Sequence, residues 1–377
     1  MALECGFGLS QGGDLKEAAL EAAREARGRL TGGSPQAALI VTAGEPLPMA
    51  GAIAREVLGP IPIAGGGSAG LLSDVGVVRH GVAVVCFRSE EWAIQSACAG
   101  SNAVAPVPAA DRVARLILSG RPNRRRYPRG LALAFGDSRL ADGAAPFASR
   151  WREIMGPKLK SVGSIIPDTQ EVYCGAVRDP GPLSVLCLEG SGPVGVGVGL
   201  GWAPLTRTCI TTRTEGCLVH ELDGRPAAEV YAEAIPGSAQ DPTRFPLGLA
   251  TPDEQWLIRS VIGIEGTSLR LGGELPAAGE VRLMAASVNG LHQATRDAVV
   301  TALKRLEGQP ARALLVIESA ARLAVQNGTA QRELEMVREQ VTPEAPCLGW
   351  LTAFELVPAG GGQVALQNGS VVVIAFA

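Results

Sequence analysis

A short apolar run, a helical pattern and further short apolar runs follow one another three times along this chain. That recurrence limits the fold more than any single motif does. In the first unit "DLKEAALEAAREARGRL" has the spacing of an amphipathic helix, with Asp14 at its cap and "TGG" as its stop. "QAALIVTAG" then reads as a buried strand and "LPMAGAIAREVLG" as a short helix. "PIPIAGGGSAGLLS" reads as a strand running into a glycine loop, and "GVVRHGVAVVCF" as a further strand. The second unit runs through "RGLALAFGD", the helix "AAPFASRWREIMG", and the strands "LKSVGSIIPD", "QEVYCGAV" and "LSVLCLEG". The third is read as the strand "EVRLMAAS", the helix "LHQATRDAVVTALKRLEG" and the strand "ARALLVIESAA". The helix "TAQRELEMVREQV", the run "APCLGWLTAFELV" and the terminal strand "GSVVVIAFA" follow it. Strands alternating with helices predict an α/β protein. Brief glycine connections between adjacent strands predict mixed sheets. The expected architecture is layered, with mixed β-sheets packed between helices and built from recurring β-α-β-β units.

Bulk composition narrows the function classes. The 377 residues are 46% hydrophobic and 19% charged, enough for a sizeable core and unlike a disordered chain. A net charge of -3 gives no general attraction to nucleic acid or to an anionic membrane. No apolar run approaches the length of a membrane span and no secretory leader is recognised, so a cytoplasmic protein is expected. The eight cysteines are scattered without a C-x-x-C and read as small buried hydrophobes. The arginines of "SGRPNRRRYPRG" (Arg121, Arg124, Arg125, Arg126 and Arg129) read as a solvated linker between the first two units, with an anion or acidic-partner site as the alternative.

Three motifs invite chemistry. "GSGPVG", from Gly190 to Gly195, has dinucleotide-loop spacing, but "VGVGLGW" continues as a strand where that motif needs a helix. Its Gly195, Gly197, Gly199 and Gly201 fall on one bare face. Close packing of another sheet is the expected use of that face, with a helix or a flat ligand as alternatives. "GGSAG" has the G-x-S-x-G spacing of a nucleophile elbow centred on Ser68, but a strand follows it instead of a helix. The loop reads better as a source of free backbone N–H groups for an anion or carboxylate. "GWAPLTRTCITTRTEGCLVHELDGRPAAEVY" combines a Thr-rich strand, an Asp223-Gly224 turn and Pro226 at a helix start, all with structural explanations. Glu355 lies in the apolar run "WLTAFELV", where an unpaired carboxylate is costly, so a pair with Arg322 is expected.

That last stretch, with Gly201, Trp202, Pro204, Glu221, Leu222, Asp223, Gly224, Pro226, Ala227 and Tyr231, resembles the FIST family of small-ligand sensory modules. Four shorter motifs can be placed beside it. The family's Gly-Cys-Ser-Thr-Ala-Gly-Glu is thinned here to "GGGSAGL", with Gly66 for Cys and Leu71 for Glu. Gly163 and Asp168 remain of a second motif, Arg322 of a third, and Gly349, Thr352 and Glu355 of a fourth. The resemblance implies a FIST N-like module over residues 1–252, with possible sub-units 1–120 and 130–252, and a FIST C-like module over 253–377. It implies a non-enzymatic, small-ligand-binding sensory protein that signals through a separate protein partner, such as a signalling enzyme. A Ser68-centred hydrolase and a scaffold with a vestigial pocket are the alternatives. Together with their positions at strand ends, the resemblance nominates Gly65, Ser68, Gly70, Asp168, Arg322, Thr352 and Glu355 as ligand-binding residues. No catalytic residue, metal or cofactor is expected. Haem would need an axial ligand from His80, His220 or His292, and no spacing favours one. Loss of the carboxylate and thiol at Leu71 and Gly66 predicts an apolar local surface and weak binding of free amino acids there.

Overall fold

The computed structural model describes residues 3–73, 76–120, 127–141, 143–156, 159–166, 171–235, 241–251, 256–327, 331–342, 345–359 and 363–377. Asp168 and four of the five linker arginines lie outside them. The first unit comprises β1 (Glu4–Ser10), α1 (Leu15–Gly28), β2 (Ala37–Ala43), α2 (Ala50–Leu58), β3 (Ile63–Ser68), β4 (Gly70–Ser73), β5 (Gly76–Val78) and β6 (Gly81–Arg88). The Asp14 carboxylate accepts from the Lys16 N–H at 2.8 Å and caps α1 as expected. The second unit comprises β7 (Trp92–Cys98), α3 (Pro106–Ser119), β8 (Arg129–Gly136), α4 (Ser138–Ala141), α5 (Ala144–Met155), β9 (Leu159–Ile165), β10 (Val172–Cys174) and β11 (Leu183–Gly190).

The third unit opens with β12 (Val194–Gly199) and is then interrupted. The inserted segment holds β13 (Ala203–Pro204), β14 (Cys209–Glu215), β15 (Leu218–Leu222), β16 (Arg225–Pro226) and α6 (Ala227–Ala234). It continues with β17 (Leu247–Ala250), β18 (Trp256–Arg259), β19 (Val261–Glu265), β20 (Ser268–Leu271) and β21 (Glu280–Ala285). The unit resumes with α7 (Val288–Lys304), β22 (Ala313–Ser319), α8 (Ala320–Val325), α9 (Gln331–Arg338), β23 (Cys347–Thr352), β24 (Phe354–Ala359), β25 (Gln363–Gln367) and β26 (Val371–Phe376).

Three of the four sheets share one plan. Their orders are β1-β6-β2-β3-β10, β7-β11-β8-β9-β24-β25 and β12-β26-β22-β23-β4-β5. In each, the second and third strands of the unit run parallel, with Leu39 opposite Ala64, Leu133 opposite Val162 and Leu315 opposite Leu348. Each sheet ends on a strand lent by another unit. Unit one lends β4 to unit three, unit three lends β24 to unit two, and unit two lends β10 to unit one. The registers agree: two residues beyond the matched pairs, Gly66 faces Val172, Ser164 faces Glu355 and Trp350 faces Leu71. The two expected modules are therefore stitched together by shared sheets.

Each of these three sheets turns one face inward to a common core and the other outward to helices. The core joins Leu39, Leu133 and Leu315 from the three sheets. Phe87 meets Phe376 edge-on at 6.0 Å, and Phe135 stacks on Trp350 at 5.7 Å. Leu71 is wholly buried in it, so at this position Leu serves packing. Outside, α1 and α2 cover the first sheet, α3 and α5 the second, and α7 and α9 the third.

The bare glycine face takes a helix, which corrects the expectation of sheet packing. A Cβ on Gly195 would lie 1.9 Å from the Ala302 carbonyl of α7, and one on Gly197 would lie 1.8 Å from that of Ala298. The first unit uses the same device, since Gly6 and Gly8 bring α1 as close to β1. A second correction concerns "GGGSAGLL": apart from Ala69 it is strand throughout, β3 leading directly into β4, and no open glycine loop forms. The inserted sheet has its own core around Val219, Leu222, Tyr231 and Leu283. There Asp223 and Gly224 have φ of 52° and 74°, the paired positive values of a tight hairpin turn. Trp202 donates to the Gly369 carbonyl at 2.8 Å.

Candidate functional site

Among the described residues Gly70 faces Leu351 and Thr352 faces Ser319, so these nominated positions are neighbours where the sheets exchange strands. Ser68, at the end of β3, donates its hydroxyl to the Thr42 carbonyl at 2.8 Å. Gly65 packs against the backbone of Ile40, and a Cβ on Gly70 would press on Val77 and Leu351. Thr352 is buried and donates to the carbonyls of Ile165 and Phe354 at 3.1 and 3.0 Å, tying the third sheet to the second. These are structural uses of their donors and of their lack of side-chain bulk.

Arg322 and Glu355 are also fully buried. Arg322 pairs directly with Glu333 on α9, not with Glu355 as expected: Nη2 lies 2.5 Å from Oε1 and Nε 3.2 Å from Oε2. Its remaining donors reach the carbonyls of Leu200 and Leu291 and the Thr295 hydroxyl, at 2.8, 3.0 and 3.0 Å. A guanidinium engaged on every nitrogen has nothing left for a ligand. Burial is the largest single influence and would raise the Glu333 pKa, but Arg322 together with hydrogen bonds from Glu318 and Thr295 holds the carboxyl below its ordinary range. Glu318, 3.9 Å from Arg322, is pushed well up by burial and by Glu333. Glu355 accepts from the Ser370 N–H and hydroxyl through one oxygen, at 3.0 and 2.8 Å. Among the described residues its other oxygen has no hydrogen-bond partner, and burial lifts its pKa to about 8.

An open site lies elsewhere, at the carboxyl ends of β2 and β3, where the first two units meet. A cleft of about 490 Å³ is lined there by Pro46, Met49, Arg139, Glu171, Tyr173 and Arg178, among others. Strand ends of parallel pairs are where open α/β sheets expose unpaired backbone, and ligands gather there. One wall is a hydrogen-bonded relay. The Leu47 N–H donates to Glu171 at 2.5 Å, the Tyr173 hydroxyl donates to the same carboxyl at 2.9 Å, and Tyr173 meets the Thr42 hydroxyl at 2.9 Å. Burial raises the Glu171 carboxyl above its ordinary range and Tyr173 well above its own. On the same side, the backbone N–H of Gly67 donates to the Glu171 carbonyl at 3.1 Å, next to Ser68.

Arg139 also lines the cleft. The wholly buried Asp137 accepts from its Nε at 3.0 and 3.1 Å and fixes the direction of the guanidinium. Among the described residues its Nη1 makes no hydrogen bond. Met49, at the start of α2, holds φ at 65°, a left-handed value that an unbranched L residue adopts only under constraint. Volume, a convergent carboxyl, phenol and guanidinium, and a strained backbone coincide here. The sequence places Met49 in a short helix, Asp137 at the end of a strand and Glu171 and Tyr173 together on another strand, and marks none of them as a site. The cleft assembles from residues near 48, 139 and 173, and no local spacing announces that meeting.

The nucleophile-elbow geometry is absent at Ser68, which is followed by strand β4. Among the described residues no group of three or more His, Cys, Asp or Glu could hold a metal ion. No helix among them is long and apolar enough to cross a membrane.

Among solved structures, a cyanuric acid hydrolase from A. caulinodans aligns at a TM-score of 0.38 and 9% identity over 99% of both chains. A second structure, titled for cyanuric acid hydrolase and its evolution by structural concatenation, aligns at 0.31 and 11% over 100% of both. Likeness at that level carries no argument about chemistry. No curated protein matches the chain. Residues 17–225 match the FIST N domain and residues 227–358 match the FIST C domain, so this chain belongs to the FIST family.

Proposed function

We propose that this protein is a non-enzymatic sensory module that binds a small polar molecule in the cleft between its first two units and passes occupancy to a separate protein partner. The observation that carries the reading is the cleft itself, lined by the Glu171–Tyr173 relay and by the Asp137-anchored Arg139. A ligand acceptor would find Arg139, beside the Glu171–Tyr173 relay. β10 is the strand that unit two lends to unit one. A ligand touching Tyr173 on β10 and Arg139 on α4 would thus bear on how two units join, which is a route by which occupancy could reach a surface. Binding is favoured over hydrolysis because the Ser68 hydroxyl is committed to a backbone carbonyl.

Native mass spectrometry of the purified full-length chain tests this. A co-purifying small molecule that is lost in Arg139→Glu supports the reading. A wild-type chain that carries only its own mass, or one that keeps the same molecule in Arg139→Glu, counts against it.

A further inference from the structure

At the opposite ends of the strands, two of the seams between units hold the same cavity. Between units one and three it is lined by Cys5, Arg29, Thr31, Arg312 and Pro346, among others, and measures about 730 Å³. Between units three and two it measures about 380 Å³ and is lined by Pro128, Arg129, Gly130, Lys160, Val194, Arg305 and Glu307. The strand registers make these positions correspond. Val194 takes the place of Cys5, Gly130 that of Arg312, and Lys160 that of Pro346. Arg305 and Arg29 are the C-caps of corresponding helices, α7 and α1, so Glu307 corresponds to Thr31.

Charge separates the two. In the first cavity three arginines, Arg29, Arg88 and Arg312, face two carboxylates, Glu4 and Glu90, with Arg88 beside Glu4 and Arg29 bridged to Glu25 at 2.6 Å. In the second, Arg129, Lys160 and Arg305 face a single carboxylate, Glu307, which Arg129 binds at 2.9 Å. Arg305 donates to the Val196 carbonyl. Lys160 donates to the Val194 carbonyl at 2.6 Å, its one acceptor among the described residues. Half-buried and flanked by two guanidinium groups, its ammonium is destabilised by burial, then by Arg305 and Arg129. A repeat position that elsewhere holds proline has thus gained a lysine between two arginines.

We infer that the seam between units two and three is an anion site that takes a phosphate group of a small molecule, held by Lys160, Arg305 and Arg129. Two planar guanidinium forks flanking an ammonium match the oxygens and the double charge of a phosphate. The site is independent of the cleft that binds the small polar molecule.

Isothermal titration calorimetry of the full chain with inorganic pyrophosphate at low ionic strength tests it. Wild type should bind, and added salt should weaken the binding. Lys160→Met should weaken it by about tenfold or more. Glu307→Gln removes the competing carboxylate and should tighten it, which keeps the test valid if Lys160→Met fails to fold. Absence of binding by wild type, or a Glu307→Gln chain that binds no more tightly, would overturn the assignment.

Discussion

Arg322 and Glu333 face each other with no solvent exposure at either side chain, joined through two nitrogen–oxygen contacts of 2.5 and 3.2 Å. The pair locks α9 to α8, and the other donors of Arg322 gather the end of β12 and the first turns of α7 around it. Removing one partner strands a buried charge, at a cost of about 3–5 kcal/mol. Arg322→Ala should lose about that much in urea unfolding without any ligand present. Glu333→Gln should lose less, because an amide can still accept from the guanidinium. An Arg322→Ala chain of unchanged stability would show that the pair is dispensable.

Glu355 supplies a pH dependence. Its folded pKa of about 8 stands above the ordinary 4.5, so between those values the folded state holds a proton that the unfolded state has released. The favourable contribution is complete below pH 4.5 and is lost as pH rises through 8. The span amounts to a few kcal/mol, on the order of one per pH unit. Glu355→Gln should flatten the fall in stability over that window, and at pH 8.5 should melt above the wild type. Parallel stability profiles for the two chains would contradict the account.

The glycine face under α7 predicts a sharp contrast. Gly197→Ala would drive a methyl group into the Ala298 carbonyl and should cost on the order of 3 kcal/mol or more. Gly263→Ala meets nothing nearer than 4.0 Å and should be close to neutral. Equal melting temperatures for the two variants would mean that α7 can stand off from β12.

How legible this was in the sequence varied with distance along the chain. Alternation of apolar runs and helices marked the units because each is local, and Asp14 announced its helix because a cap reads only its neighbours. From the sequence alone the third unit starts at "EVRLMAAS". Its true first strand, β12, is separated from α7 by the inserted sheet, and β21 took its apparent place. A clue existed in the shared spacing of "CGFGLS" and "VGVGVG", both lying under helices. Arg322 was singled out, but Glu333 reads as one more polar residue on a charged helix. Exchange of β4, β10 and β24 among units is a long-range pairing that no local pattern encodes.

The central claim is that a small polar molecule binds between Glu171, Tyr173 and Arg139. Thermal melting of the wild type and of the Tyr173→Phe, Arg139→Glu double variant against one panel of small polar metabolites tests it most directly. The account predicts that at least one compound raises the wild-type melting temperature by about 3 °C or more and leaves the double variant unmoved. A panel in which no compound shifts the wild type, or in which every stabilising compound shifts both chains equally, would contradict it.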